Sequence, residues 1–540
     1  MSHCALGNCL VPPRARVASA LSPTMATITQ MATSSALSPK ANGTSVFRGK
    51  GVADDKANGT ATTTTTTKLA RDTKYRHVFA THSLTRTSCL SHDTDKSPSF
   101  VGFRNLMILV LIVSNLRLMI VNLQKYGVLI CLSCHDYRRS DVITGLLLYL
   151  LVPAHLFVTY LIELAAAWQA DRAYSRISKD QDDDSPAKYA AALRSFNLTW
   201  YLIAFFHSIN AVANLYIATK YVYYDIYHPG IGTLCELHAV IVFLKCASYA
   251  FTNRDLRHAY LHPKQADPLP ELYSACPYPQ NINMKNLCYF WWAPTLVYQP
   301  IYPRTEKIRW DFVFKRLAEL AGLSIVIWIA SAQYAAPLLQ NSLDKVLTLN
   351  LTSIVERVMK LSTISVFCWL CGFFALFQSA LNALAEVMRF GDREFYGDWW
   401  NVSSIRTYWT TWNKPVTNFM RRHIYSPLVG RGVPPVAAQI LVFFFSGVLH
   451  ELLVGVPTHN IIGVAFAGMM FQIPLIVLTD VIQKIRWIQG KVAGNMIFWI
   501  SFCLVGQPLA ALLYFFAWQA KYGSVSRKVS DSPINMFYRR

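Results

Sequence analysis

The chain has 540 residues, of which 53% are hydrophobic and 15% charged, and 51 Lys and Arg against 30 Asp and Glu give it a net charge of +21. A soluble domain carries about 25% charged residues, so the composition excludes an ordinary soluble protein and indicates a polytopic membrane protein. The basic excess suits loops that face anionic cytoplasmic lipid. Nucleic acid is not expected as a partner, because no compact basic domain with a recognition motif stands apart from the apolar runs.

Residues 1–95 differ in composition from the rest. They are rich in Ala, Ser and Thr, include the tract Thr62–Thr67, and hold no Asp or Glu before Asp54. Such a segment buries too little apolar surface to offset its ordering entropy and is expected to be disordered. Its acid-poor start, with Arg14 and Arg16, also has the character of a transit peptide, so a plastid envelope stays open as a destination. No proposed site residue falls in it.

Residues 96–540 read as one multi-span, all-α membrane domain. Apolar runs of spanning length recur near 103–123, 141–165, 196–219, 231–251, 317–339, 360–385, 435–457, 461–482 and 495–518, which predicts about nine transmembrane helices. Helices are the expected spanning structure, since no alternating barrel pattern is present. Residues 252–316 read as a polar, Pro-rich loop, and 386–434 as a second long loop dense in Trp, Tyr and Arg. Arg117 and Lys245 lie inside apolar runs and are expected to snorkel to an interface. Two CxxC spacings, Cys131 with Cys134 and Cys368 with Cys371, lack a second pair or a His pair, so no metal site is expected.

The run from Ile440 to Pro457 contains a single pair of ionisable residues, His450 and Glu451. A charged side chain at bilayer depth costs roughly 2.5–3.5 kcal/mol on insertion scales. Histidine lowers that cost by staying neutral while keeping the capacity to accept a proton. A buried base is one reading; a His hydrogen-bonded to a neighbouring helix is the other. Ser446, four residues earlier, shares its helical face. Glu451 points elsewhere and is expected to pair with a neighbouring helix.

A second dense segment runs from Phe390 to Asn401 and combines aromatics with Asp392, Arg393, Glu394 and Asp398. An interfacial aromatic belt accounts for Trp399 and Trp400 but less well for the charged set. A carboxamide such as Asn401 is suited to hold a carbonyl oxygen for attack.

Phe395-Tyr-Gly-Asp-Trp-Trp-Asn401, followed downstream by an intramembrane His450, resembles the membrane-bound O-acyltransferase superfamily, in the branch that holds sterol and diacylglycerol acyltransferases. The likeness extends from Phe100 to the C-terminal spans. It takes in Ser114-Asn-Leu-Arg117, Asn122-Leu-Gln-Lys-Tyr-Gly127, Tyr278-Pro-Gln-Asn281, Ala293-Pro-Thr-Leu296 and Tyr298-Gln-Pro-Ile-Tyr-Pro-Arg304. Gly391-Asp-Arg-Glu394, Trp412-Asn413, Arg422-His423, Gly468-Met-Met-Phe-Gln-Ile-Pro474 and Gly506-Gln-Pro508 look like the diacylglycerol side of that branch. The chain departs from the family pattern at Thr417 and Phe419, where His and Trp are usual, and at Gln378, where His is usual.

The resemblance implies transfer of a fatty acyl group from acyl-CoA, the co-substrate, to diacylglycerol, with no other cofactor. A sterol or fatty alcohol is the alternative acceptor, and a transporter is a distant second class, disfavoured because no internal repeat is found. It implies catalytic roles for His450 as base and Asn401 at the thioester, and substrate contacts from Ser446, Met469, Gln472, Gln507, Trp400, Trp412, Asn413 and Arg422. It further implies residence in the endoplasmic reticulum membrane among lipids, as a homodimer or homotetramer.

Overall fold

Spanning helices form where the chain is apolar for long enough to satisfy every backbone group internally. The computed structural model describes residues 77, 80–91, 98–110, 113, 138–179, 186–262, 268–331, 335, 351–483 and 491–518. Among these, seven helical segments are long and apolar enough to cross a membrane: Arg139–Ser175, Thr199–Tyr224, Pro229–Leu261, Val355–Val387, Pro435–Gly455, Val464–Ile482 and Gly494–Ala517.

In chain order the helices are α1 (Val101–Val110), α2 (Arg139–Leu151), α3 (Ala154–Lys179), α4 (Pro186–Tyr224) and α5 (Pro229–Leu261). Then come α6 (Met284–Trp292), α7 (Trp310–Ala330) and α8 (Leu351–Phe373), the last continuing through a π-helical stretch, Phe374–Ala380, into α9 (Leu381–Val387). Three short helices follow, α10 (Ile405–Thr411), α11 (Lys414–Met420) and α12 (Ser426–Gly430). The C-terminal part holds α13 (Pro435–Gly455), α14 (Val464–Ile482), α15 (Lys491–Ile500) and α16 (Gln507–Trp518).

Seven of the nine expected spans thus recur almost where the hydropathy places them. Only the start of the first, α1, falls among the described residues; Ser114–Arg117 and Asn122–Gly127 lie outside them. The fifth coincides with α7, whose first half carries Asp311, Lys315, Arg316 and Glu319 and which is not among the seven.

The stretches expected as loops are instead folded and buried. Residues 268–309 include α6 and a 3₁₀ turn, Glu271–Ala275, and pack Phe290, Val297, Tyr298 and Gln299 with no exposure at all. Asn283 caps α6 by accepting the Asn286 N–H at 2.8 Å. At the other end of α6, Lys245 donates to the carbonyls of Phe290, Trp291 and Ala293 at 2.8, 2.8 and 2.9 Å. It does not snorkel: the last carbonyls of a helix have no intrahelical partner and attract a cation.

The aromatic box is a core knot, not an interfacial belt. Trp399, Trp400 and Tyr396 are fully enclosed. Trp399 meets Trp369, Phe373 and Trp499 at centroid distances of 5.0, 5.1 and 5.7 Å, and Trp400 stacks on Phe103 of α1 at 4.8 Å. Helix α1 passes so close that a Cβ on Gly102 would lie 1.5 Å from the Trp400 carbonyl oxygen; only glycine fits there.

Part of the N-terminal segment is packed, against the expectation from its composition. Residues 80–91 lie against the membrane domain, with Arg86 bridged in parallel to Asp392, while residues 1–76 lie outside the described set. Local composition signals disorder only when no distant partner supplies hydrogen bonds, and here such partners exist.

Candidate active site

Helix α13 carries one polar-tipped stripe along an otherwise apolar surface. Gln439, Val442, Phe443, Ser446, Leu449, His450 and Leu453 follow the three- and four-residue helical repeat and together line one wall of a cavity of about 1090 Å³. Its volume reaches the upper end of small-molecule sites, about 300–1,000 Å³. The opposite walls come from α5 (Leu237, Val240, Ile241, Leu244), the turn Pro294–Leu296, α8 with its π-helical extension (Trp369, Phe373, Phe377), α10 and α11.

His450 is held by its own helix. Its Nδ1 lies 2.7 Å from the Ser446 carbonyl oxygen, an atom that only accepts, so Nδ1 carries the hydrogen. The Ser446 hydroxyl is farther, at 3.4 Å. Nε2 therefore keeps its lone pair, and among the described residues it makes no hydrogen bond. An imidazole fixed through Nδ1 with Nε2 free is the form of a general base.

Glu451, next in sequence, faces away. Its carboxylate accepts the Gly463 and Phe466 N–H groups at 2.9 and 3.2 Å and the Tyr514 hydroxyl at 2.8 Å. It thereby caps the start of α14, where the helix dipole favours a negative group, which is the neighbouring-helix partner expected for it.

The cavity lining also carries charged side chains, Arg86, Arg406, Lys414 and Arg421 beside Asp392 and Glu394. Arg86 pairs with Glu394 at 3.0 Å, Lys414 also binds Glu394, and Arg406 meets Asp480 at 2.7 Å.

Of the residues implied by sequence, His450, Ser446, Met469, Trp412 and Asn413 line this cavity. Trp412 stacks on Tyr408 with planes 5° apart, and Asn413 also caps α11 by accepting the Val416 N–H at 3.2 Å. Gln472 is one contact removed: its Oε1 accepts the indole N–H of Trp409, a lining residue, at 3.3 Å. The side chain of Gln507 lies outside the described residues.

Three of the implied residues do not reach the cavity. Asn401 accepts the Gly102 N–H at 2.6 Å and donates to the Ser99 carbonyl, which brackets the first turn of α1. Trp400 is enclosed against Phe103 and donates to the same carbonyl at 2.9 Å. Arg422 is buried and donates to the His77 carbonyl, with a further bond to the Thr81 hydroxyl at 3.0 Å, so it ties down the N-terminal arm. Beside it His77 and His423 face each other, Nδ1 to Nδ1 at 3.0 Å, and His423 Nε2 meets Ser248 Oγ at 2.7 Å. Burial first, then the surrounding cations Arg254 and Arg422 and, for His77, its partner His423 and Arg431, hold both imidazoles well below the ordinary histidine pKa.

The family departures have defined places. Thr417 lines the cavity and donates to the Trp409 carbonyl at 3.0 Å. Gln378 accepts from the Tyr396 hydroxyl at 2.5 Å and from the Ser88 hydroxyl at 3.2 Å. Phe419 is buried against His423, ring centroids 5.0 Å apart.

The family model of the MBOAT, or membrane-bound O-acyltransferase, family matches residues 274–516. Diacylglycerol O-acyltransferase 1A of Glycine max is 36% identical over 446 residues, 82% of this chain and 82% of that protein. The chain belongs to the membrane-bound O-acyltransferase family. Diacylglycerol O-acyltransferase 1 of Arabidopsis thaliana is 34% identical over 471 residues, covering 84% of this chain and 80% of its own. The Dictyostelium discoideum protein of the same name is 35% identical over 430 residues, 80% and 64% respectively. The membrane-bound O-acyltransferase match covers α13 and most of the cavity walls, but not the α5 wall or His82 and Arg86, which also line the cavity. Sequence reasoning missed these two because they sit in a Thr- and Ser-rich stretch with no periodicity. It also missed Trp409, although its place one helical turn before Trp412 was a usable signal.

Proposed function

We propose that the protein transfers a fatty acyl group from acyl-CoA to the free hydroxyl of diacylglycerol, forming triacylglycerol, with His450 as the general base. The imidazole on the cavity wall carries this reading: Nδ1 is committed to the Ser446 carbonyl and Nε2 is left to accept a proton. The names of the relatives support the acceptor. The cations Arg86, Arg406, Lys414 and Arg421 in the cavity lining suit the phosphates of a coenzyme A thioester, and the apolar lining suits acyl chains.

In this reading His450 Nε2 takes the hydroxyl proton as the acceptor oxygen attacks the thioester carbonyl. The carbon–oxygen ester bond forms, the carbon–sulfur bond breaks, and the coenzyme A thiolate leaves with the proton carried by the imidazolium. Trp412 and Met469 border the reacting groups, and Gln472 acts through Trp409. Transfer is direct, in a ternary complex, and needs no cofactor beyond the co-substrate. Following the family resemblance, we assign the enzyme to the endoplasmic reticulum membrane as a homodimer or homotetramer.

Purified protein given radiolabelled acyl-CoA with equal diacylglycerol, sterol and fatty alcohol tests the assignment. Triacylglycerol should dominate, and His450→Ala should cost about 10²–10⁴-fold in rate. Preferential sterol or wax esters would overturn the acceptor; near wild-type rates in a folded His450→Ala variant would overturn the base.

A further inference from the structure

The N-terminal arm forms part of one wall of the cavity, and the imidazole of His82 is one of the groups that hold it there. His82 is 5% exposed and lines the cavity together with Arg86. Its main chain pairs with a side chain in both directions: the His82 N–H donates to Gln299 Oε1 at 2.6 Å, and Gln299 Nε2 donates back to the His82 carbonyl at 2.9 Å. Four residues on, the Arg86 N–H donates to the Gly391 carbonyl at 3.0 Å and the Arg86 carbonyl accepts the Arg393 N–H at 2.8 Å.

The imidazole of His82 joins two further elements. Nδ1 lies 2.6 Å from Asp392 Oδ2, and Nε2 lies 2.8 Å from Thr295 Oγ1. A carboxylate only accepts, so Nδ1 carries the hydrogen. The Thr295 hydroxyl accepts the Val297 N–H at 3.2 Å and keeps both a hydrogen and a second lone pair for its bond to Nε2. The order carboxylate, imidazole, hydroxyl is that of a nucleophilic triad. Thr295 is only 4% exposed and its hydroxyl is committed on both sides, so the trio holds walls in place and does not supply a nucleophile.

Thr295 belongs to the Pro294–Leu296 wall, and Asp392 to the loop that also carries Glu394 and Phe395 into the cavity. Glu394 in turn holds both Arg86 and Lys414. The imidazole of His82 therefore joins two cavity walls, one of which carries the carboxylate that holds Arg86 and Lys414. We propose that His82 is a positioning residue for the acyl donor and that residues 80–91 are a wall of the donor end of the cavity. The proposal rests on the acyl-CoA reading above.

The test uses the full chain. Donor and acceptor kinetics are measured for wild type, His82→Ala, His82→Gln and Thr295→Val, together with binding of a non-hydrolysable thioether analogue of palmitoyl-CoA and thermal unfolding of each variant. Loss of two buried hydrogen bonds should raise the donor KM and the analogue Kd of His82→Ala about tenfold, with kcat within about threefold and the acceptor KM unchanged. His82→Gln should restore most of the loss, because its amide can donate to Asp392 and accept from Thr295. A merely structural role would lower kcat through the active fraction and leave KM in place. Thr295→Val removes one of the bonds at constant volume and serves if His82→Ala does not fold. Analogue affinity equal to wild type in folded His82→Ala or Thr295→Val would overturn the proposal. If wild type bound the analogue but did not acylate diacylglycerol, the functional reading would fail, and the ratio of analogue affinities would still judge the clamp.

Discussion

Ser446→Ala separates the two ways in which Ser446 can hold the imidazole proposed as the base. The main-chain carbonyl is 2.7 Å from Nδ1 and the hydroxyl 3.4 Å, near the limit at which a hydrogen bond retains much energy. The substitution keeps the carbonyl and removes the hydroxyl, so the loss should not exceed about 0.5 kcal/mol, the low end for a neutral hydrogen bond. That corresponds to about a twofold fall in kcat. The contrast with His450→Ala, where about 10²–10⁴-fold is expected, is wide enough to measure in detergent with saturating acyl-CoA and diacylglycerol. The pH dependence of kcat should also keep its shape, since the tautomer is set by the carbonyl. A tenfold or larger loss of kcat with unchanged thermal unfolding would refute the reasoning and make the hydroxyl the orienting group.

Asn401→Ala should act on stability. Its carboxamide brackets the first turn of α1 at Gly102, so about 1 kcal/mol of stabilisation is lost and thermal unfolding moves down by a few degrees, while kcat per folded molecule changes less than about threefold; dead enzyme with an unshifted transition would put the amide at the thioester. Lys245→Met leaves three carbonyls at the end of α6 without their donor, and after allowing for the desolvation that the ammonium no longer suffers, about 2–4 kcal/mol is lost; an unchanged unfolding temperature would refute the capping role. The His77–His423 pair should make arm docking acid-sensitive. Both folded pKa values lie below the unfolded value, so the unfolded or undocked state binds more protons as pH falls, and the stabilisation present above about pH 6.5 is lost below it. Protection of residues 80–91 against hydrogen exchange, taken relative to the intrinsic exchange rate at each pH, should fall between pH 7.5 and 5.5 in wild type and lose that dependence in His423→Asn; parallel profiles in both would dismiss the pair as the sensor.

The parts of this protein that were legible in its sequence are those whose signature is local. The α13 span and the place of His450 on the cavity wall could be read because one apolar run holds a single ionisable pair, and because spacing of four puts Ser446 under His450. Even the separate fate of Glu451 followed from its place on another helical face, although the carboxylate's targets, two amides at the start of α14, did not. Lys245 was misread because its neighbours in α5 from Ala239 to Phe251 are nearly all apolar, so the run does not say whether a cation points outward to headgroups or inward to the end of another helix. Asn401 has the chemistry of an oxyanion donor, yet its partner is set by how closely Gly102 lets α1 approach the aromatic box. The arm is the extreme case. His82 meets Thr295 and Asp392 across 213 and 310 residues of chain, and no composition or period within residues 1–95 encodes such bonds. A buried base can be recognised by what surrounds it in sequence, because desolvation is a property of its own helix; a cavity wall cannot, because its position is set by hydrogen bonds between segments that share no pattern.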